Sequence, residues 1–350
     1  MKRIAVLAVP LALGALLALA GPATAQTSQT PPASCSPVGD LSFVCGLTNV
    51  EDFLPVEGGR WLVGGSYKTG GGGAGLYLID TAAKTAKSVT LSVATKADPT
   101  YAGCAAPDLK GLTTHGLDVS EGHGVTTVWA INHGGRESVE VFHLYPAKGT
   151  AEWVGCAILP PGTSGNSIAH LPKGAFAVTK FLDTGDKQAF QHIMAGEVNG
   201  VVYLWTPGGK GFSEVPGTKL SGDNGIAASP DGKWLYINAY GSKEIYRVAL
   251  SGQGERSSVK VDFNPDNLRW APDGKLFVTG QFINPQAPPG PGTRHGWATV
   301  RLDPHTMKVT PVVKEAGLAE FDDATSAVQV GNTLWFGTFR GDRLAYRAAP

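Results

Sequence analysis

Residues 229–240 read SPDGKWLYINAY, and residues 271–280 repeat the pattern as APDGKLFVTG. In each, an Asp-Gly pair (Asp231-Gly232, Asp273-Gly274) supplies the positive φ that a tight hairpin turn needs, and a strand of alternating apolar residues follows. Weaker copies are EGGRWLVGG from Glu57, EGHGVTTVWAINH from Glu121, LPKGAFAVTK from Leu171 and VGNTLWFGTF from Val330. Most lead into a second strand, such as VEVFHLYP, GVVYLWTP, EIYRVAL or ATVRLDP. The spacing, roughly 40 to 65 residues, is that of four-stranded propeller blades. A β-sandwich of this length would leave open edges, and a parallel solenoid would repeat at a shorter period. The sequence therefore predicts an all-β fold, a six-bladed β-propeller, as one domain over residues 26–350, with the run PQAPPGPG (285–292) as a surface loop.

The chain begins with features of an export signal. Lys2-Arg3 form a positive head, Ile4 to Ala20 an apolar stretch, and Ala23-Thr24-Ala25 a cleavage motif before Gln26. The apolar stretch is short for a membrane span and no second one follows, so no stable membrane anchor is expected. The mature protein is expected in the periplasm or secreted. Of 29 basic and 29 acidic residues, the leader removes Lys2 and Arg3, leaving 27 against 29 and a net charge of −2. That balance offers no basic field for nucleic acid. Glycine, 47 of 350 residues, is near twice its usual share and reads as turns between many short strands. Four cysteines in an exported chain predict two disulfides, and of the three connectivities the local one, Cys35–Cys45 with Cys104–Cys156, is favoured.

Five segments place polar residues beside apolar runs: Asn49-Val50-Glu51-Asp52, His115-Gly116-Leu117, Gly165-Asn166-Ser167-Ile168, Gly222-Asp223-Asn224-Gly225-Ile226 and Pro265-Asp266-Asn267-Leu268. Carboxylate and amide oxygens with little sulfur or imidazole among them are the donors Ca²⁺ prefers. Glu51 and Asp266 supply charge to match a dication, while Asn166, Asn224 and Asn267 add coordination without repulsion. Donors this far apart converge only in a fold that returns repeatedly to one axis. Each Asx pair taken singly is a common turn; the recurrence is what points to a shared ion.

Other chemistries lack their motifs. There is no G-x-S-x-G elbow, no H-E-x-x-H and no P-loop lysine, and the glycine run Gly70 to Gly75 reads as a hairpin turn. His115, after Thr113-Thr114, and His133, closing VTTVWAINH, are suited as a pair to take a proton from water. His123, His143, His192 and His295 receive no role, and His170, four residues past Asn166, is left undecided, the pocket mouth being within its reach.

On these residues the chain resembles the paraoxonase/arylesterase family of six-bladed propeller hydrolases, and more broadly the SMP-30/gluconolactonase/strictosidine-synthase-like superfamily. The resemblance runs through N-V-E-D-F-L-P, H-G-L, N-H before S-V-E-V-F-H-L, F-A-V-T-K-F-L-D, D-N-G-I-A-A-S-P-D-G-K-W-L-Y, P-D-N-L-R-W-A-P-D-G-K-L and A-T-S-A-V. It implies one catalytic calcium on Glu51, Asn166, Asn224, Asp266 and Asn267, and a histidine dyad of His115 with His133. It also implies a second, structural calcium on Asp52 and the carbonyl of Leu117. Ser167 stands there where the family has an aspartate, which removes one charge, so that site is expected to be weakened, taken by water or absent. The disulfide joining the two chain ends in the animal enzymes has no counterpart, since no Cys follows Cys156.

The implied function is calcium-dependent hydrolysis of a small-molecule lactone or ester; Phe181, Phe190 and Phe282 are candidates for an apolar substrate wall, with core packing the equal alternative. The competing reading is a propeller that binds a ligand or partner and uses calcium only to hold its core; the paired histidines weigh against it, because a structural ion needs no proton acceptor beside it. A lyase or condensing enzyme, the third reading, lacks an evident general acid.

Overall fold

The structure is a computed structural model that describes Met1 and residues 35–68, 75–122, 124–251, 255–284 and 293–350. The expected export leader beyond Met1 (2–25), the run from Gly70 to Ala74, His123 and the segment 285–292 lie outside the described residues. Residues 34–350 form one compact unit.

Six antiparallel sheets form the six blades of a propeller. The innermost strands are Phe53–Val56, Thr114–Gly122, Thr163–His170, Asp223–Ala228, Asn264–Trp270 and Ala324–Val330, in blades one to six respectively. Each touches the next around the ring, and the last touches the first. Closure is made by the N-terminal strand Ser42–Cys45, which pairs with Arg343–Ala348 as the outer edge of blade six. Both ends of the chain are thereby held in one sheet, and no blade is left with a bare edge between neighbours.

The Asp-Gly signals fall where the reading placed them. Gly232 and Gly274 take φ +67° and +76° in the turns before Trp234–Ala239 and Leu276–Gln281. One element goes beyond the repeat reading: blade two carries a fifth strand, Thr90–Val93, paired parallel to Thr150–Ile158. The core is laid down between blades. Val63, Leu78, Leu117, Val128 and Phe142 fill the space between blades one and two, and Phe277, Trp297, Phe321 and Phe336 that between five and six.

Both disulfides pair as the sequence reading favoured, Cys35 with Cys45 and Cys104 with Cys156. The second closes a loop of 52 residues around blade two. Removing it by Cys104→Ser with Cys156→Ser should cost about 2–4 kcal/mol in urea unfolding, because the unfolded chain regains the freedom of that loop. Peptide mapping without reduction should recover both bridges in the wild-type protein.

Candidate metal and catalytic site

The innermost strands share a local defect, and the candidate donors sit in it. Pairing with the second strand breaks between Thr114 and Leu117, between Gly165 and Ile168, between Asp223 and Ile226, and between Pro265 and Leu268. The residues released are His115-Gly116, Asn166-Ser167, Asn224-Gly225 and Asp266-Asn267. A bulge frees two residues from the ladder and re-aims their side chains, here toward the axis. The glycines are needed because the strands approach closely: a Cβ on Gly116 would run into the carbonyl of Asn166, and one on Gly225 into that of Asp266. The freed backbone is bound by adjacent strands. Thr179 donates to the Asn224 carbonyl at 2.6 Å, Asn238 to that of Asp266 at 2.7 Å, and Thr325 and Ser326 to that of Glu51 at 2.6 and 2.8 Å.

Glu51, Asn166, Asn224, Asp266 and Asn267 are all buried. Asn267 donates to Glu51 Oε1 at 2.5 Å, Gln281 donates to Asp266 Oδ2 at 2.8 Å, and the Asn224 side chain bonds Asp266. Four oxygens of this set, Glu51 Oε2, Asn166 Oδ1, Asn224 Oδ1 and Asn267 Oδ1, have no hydrogen-bond partner. A buried acceptor left without a donor costs about 1–3 kcal/mol, so four in one donor set describe a cradle for a cation. Among the described residues no three His, Cys, Asp or Glu side chains converge as a metal site. Amide oxygens therefore make up the balance, which suits a hard, oxygen-seeking ion such as Ca²⁺ over zinc.

The charges agree. Burial, then the nearby Asp266 and Asp52, push the Glu51 carboxyl well above the ordinary range. Burial raises Asp266 to about 7, against the amide of Gln281, which pulls it down. Two carboxylates held in a dry channel resist ionising together unless a cation lies between them.

At the second site, which the sequence left as weakened, taken by water or absent, the structure places a different cation. Asp52 and the Leu117 carbonyl do converge, but the cation bridging them is the guanidinium of Arg269. Its Nε donates to Asp52 Oδ1 at 3.0 Å, and its Nη2 donates both to Asp52 Oδ2 and, at 3.1 Å, to the Leu117 carbonyl. Arg269 lies two residues beyond Asn267 on the same strand, so the fold carries its own fixed positive charge into this position. Ser167 Oγ, buried nearby in the sequence reading's third place, makes no hydrogen bond.

His115 and His133 meet as expected, His115 Nδ1 lying 2.9 Å from His133 Nε2. Glu137, which the sequence reading missed, completes the relay: its carboxylate accepts from His133 Nδ1 at 2.8 Å. The tautomers follow. His133 has a bare Nε2 that accepts the Nδ1 hydrogen of His115, and His115 is left with a bare Nε2, 3.6 Å from Glu51 Oε2. With Glu51 ionised, two acceptors face each other here, and a cation held by Glu51 would lie beside the bare nitrogen of His115. Burial, with the neighbouring His133, holds His115 well below the ordinary histidine range, so it is a neutral base at pH 7. Tyr67, also missed, stacks on the His115 ring at 4.3 Å. The signals were H-G-G-R-E, which puts Glu137 four residues past His133, and the GGSY that ends at Tyr67.

Above these groups opens a cavity of about 1160 Å³. Phe181 and Phe190 line it, joined by Met194 from the short helix Ala189–Met194 and by Tyr240. Phe282 does not; it packs edge-on against Phe263 in the core of blade five. His170, left undecided by the sequence, does not line this cavity. It bonds Asp118 at 2.8 Å, stacks on Trp129 and lines a separate, smaller cavity. His295, given no role, stands in the wall of the large one.

No family model and no curated protein matches this chain. Solved structures do. A luciferin-regenerating enzyme superposes with TM-score 0.55 at 12% identity, covering 87% of this chain and 92% of the other. A structure described as a gluconolactonase gives 0.53 at 15%, with coverages of 89% and 93%. Regucalcin of Agrobacterium tumefaciens, described as a calcium-binding protein, gives 0.53 at 13%, with coverages of 87% and 91%. At such identities the likeness is one of fold: this is a six-bladed propeller of the architecture seen in SMP-30/gluconolactonase-like proteins, the superfamily its sequence resembles.

The Asp266 carboxyl carries a pH signature in metal-free protein. Its folded value of about 7 lies above the unfolded value of 3.8, so the folded state binds the extra proton. The stability it contributes is full below about pH 4 and is lost as pH rises toward 7. In chelator, the melting temperature of Asp266→Asn minus that of wild type should therefore grow from pH 4 to pH 7 and shrink again when Ca²⁺ is added.

Proposed function

We propose that this protein is an exported, calcium-dependent hydrolase of lactones or aryl esters. The observation that carries the reading is the juxtaposition, in one cavity, of Glu51, Asn166 and Asn224, each with a partnerless buried oxygen, with a neutral histidine whose bare nitrogen lies 3.6 Å from the Glu51 carboxylate. A purely structural cation has no use for the His115–His133–Glu137 relay.

When bound by Glu51, Asn166, Asn224, Asp266 and Asn267, Ca²⁺ would polarise the substrate carbonyl and stabilise the negative charge that develops on its oxygen. The chain's own groups supply the rest. His115 Nε2 takes a proton from the attacking water, and the charge it gains is shared through His133 with the Glu137 carboxylate. Tyr67 fixes the plane of the His115 ring. Phe181, Phe190 and Met194 provide the apolar surface that holds an acyl chain and limits water at the carbonyl. The export leader and two disulfides support an oxidising compartment.

A panel of lactones and aryl esters tests the reading. Activity should vanish in chelator and return with calcium. His115→Gln should lower turnover by about 10²–10⁴-fold, the usual worth of a general base, with folding and calcium content retained. Wild-type protein loaded with calcium that turns over nothing in the panel, yet binds a lactone unchanged, would establish the ligand-binding propeller instead.

A further inference from the structure

The cavity has a second histidine–carboxylate pair, which the hydrolytic reading so far leaves idle. His295 Nδ1 donates to Asp323 Oδ1 at 2.8 Å, and Asp323 is fully buried. Arg340 grips the other oxygen of Asp323 and reaches Asp322 at 3.1 Å. The pair is built at a backbone cost: Asp323 has φ +50°, left-handed for a residue with a side chain. Its place is fixed from the next residue, where the Ala324 carbonyl accepts from Gln281 Nε2 at 2.8 Å. That same nitrogen donates to Asp266. One glutamine therefore sets the distance between this pair and the candidate metal ligands.

Topology puts the pair across the cavity from His115. His115 and His133 belong to blade two. His295 sits just ahead of the blade-five strand Trp297–Leu302, and blades two and five are opposite members of a ring of six. The candidate ligands lie between them, and both histidines line the one cavity. With Nδ1 committed to Asp323, His295 has its Nε2 left to face the cavity it lines.

Resting on the hydrolase reading, we propose that His295, seated on Asp323, is the general acid that protonates the leaving oxygen. After water has added to the carbonyl and His115 has taken its proton, the bond from the acyl carbon to the leaving oxygen breaks. The electron pair goes to that oxygen, which takes the proton from His295 Nε2. His295 becomes neutral and regains a proton from solvent, while the His115 relay returns one to solvent. In a lactone the leaving alkoxide stays tethered beside the new acid and recloses the ring unless it is protonated, so the acid matters most for that substrate class. A nitrophenolate, weakly basic, departs without help.

The test is leaving-group dependence. His295→Gln should reduce kcat on a δ-lactone by about 10²-fold or more, with the loss shrinking along a series of phenyl esters to about threefold at the 4-nitrophenyl ester. His295→Ala should be rescued by added imidazole on the lactone and not on the nitrophenyl ester, which keeps the test open if the glutamine variant folds poorly. A uniform loss across the series, or an undiminished rate on the lactone, overturns the assignment. Wild-type protein inactive on every substrate would instead overturn the hydrolase reading, and this assignment with it.

Discussion

Two carboxylates brought to the axis of a closed ring, away from water, are the interaction on which the rest of this structure turns. Asp266 reaches that axis because its inner strand bulges there, Glu51 reaches it from the segment just ahead of the blade-one strand, and Asp52 follows Glu51 into the same interior. Left alone, three acids so placed would oppose the packing of the blades that carry them. The fold answers in two ways. Arg269 neutralises Asp52 with a tethered guanidinium that also ties the Leu117 carbonyl, so blades one, two and five are held by one side chain. The remaining pair, with three amide oxygens, has no such tethered charge, and the proposed function assigns it a bound cation.

This division has a consequence for chemistry. A cation that can leave and return has an open side, and here the open side faces a cavity lined by His115 and aromatic rings. A guanidinium saturated by Asp52 and two backbone carbonyls has no open side. The site with unmatched oxygens is thus the one that adjoins the His115–His133–Glu137 chain, and on the proposed function stability falls to Arg269 and reactivity to a bound ion.

Much of this was legible in the residues, and the part that was not has a physical cause. Asp231-Gly232 and Asp273-Gly274 disclose the blades because a hairpin turn is local chemistry. Asn166-Ser167, Asn224-Gly225 and Asp266-Asn267 disclose the axis because a bulge needs a polar residue beside a small or polar one in an otherwise apolar strand. Arg269 escaped notice because its partner Asp52 lies 217 residues away, and nothing local in L-R-W separates a buried arginine from a solvated one. His295 escaped for the same reason, its carboxylate being on another blade. Glu137 was within reach at four residues from His133, but a charged residue in a Gly-Gly-Arg turn reads as solvated surface. For Phe282 the sequence left both outcomes open, since an aromatic ring at a strand end packs inward as readily as it lines a cavity, and the structure takes the first.

The central claim is that the axis takes one divalent cation because Arg269 occupies the place of a second. Calcium titration of chelated, refolded-to-native protein by calorimetry, with elemental analysis of the loaded protein, measures this directly. The account predicts one Ca²⁺ per chain, bound through oxygens at roughly 2.3–2.6 Å, and a second ion only after Arg269→Ala vacates Asp52 and Leu117. Two ions in the wild-type chain, zinc in place of calcium, or no metal at all under calcium-replete conditions would contradict it.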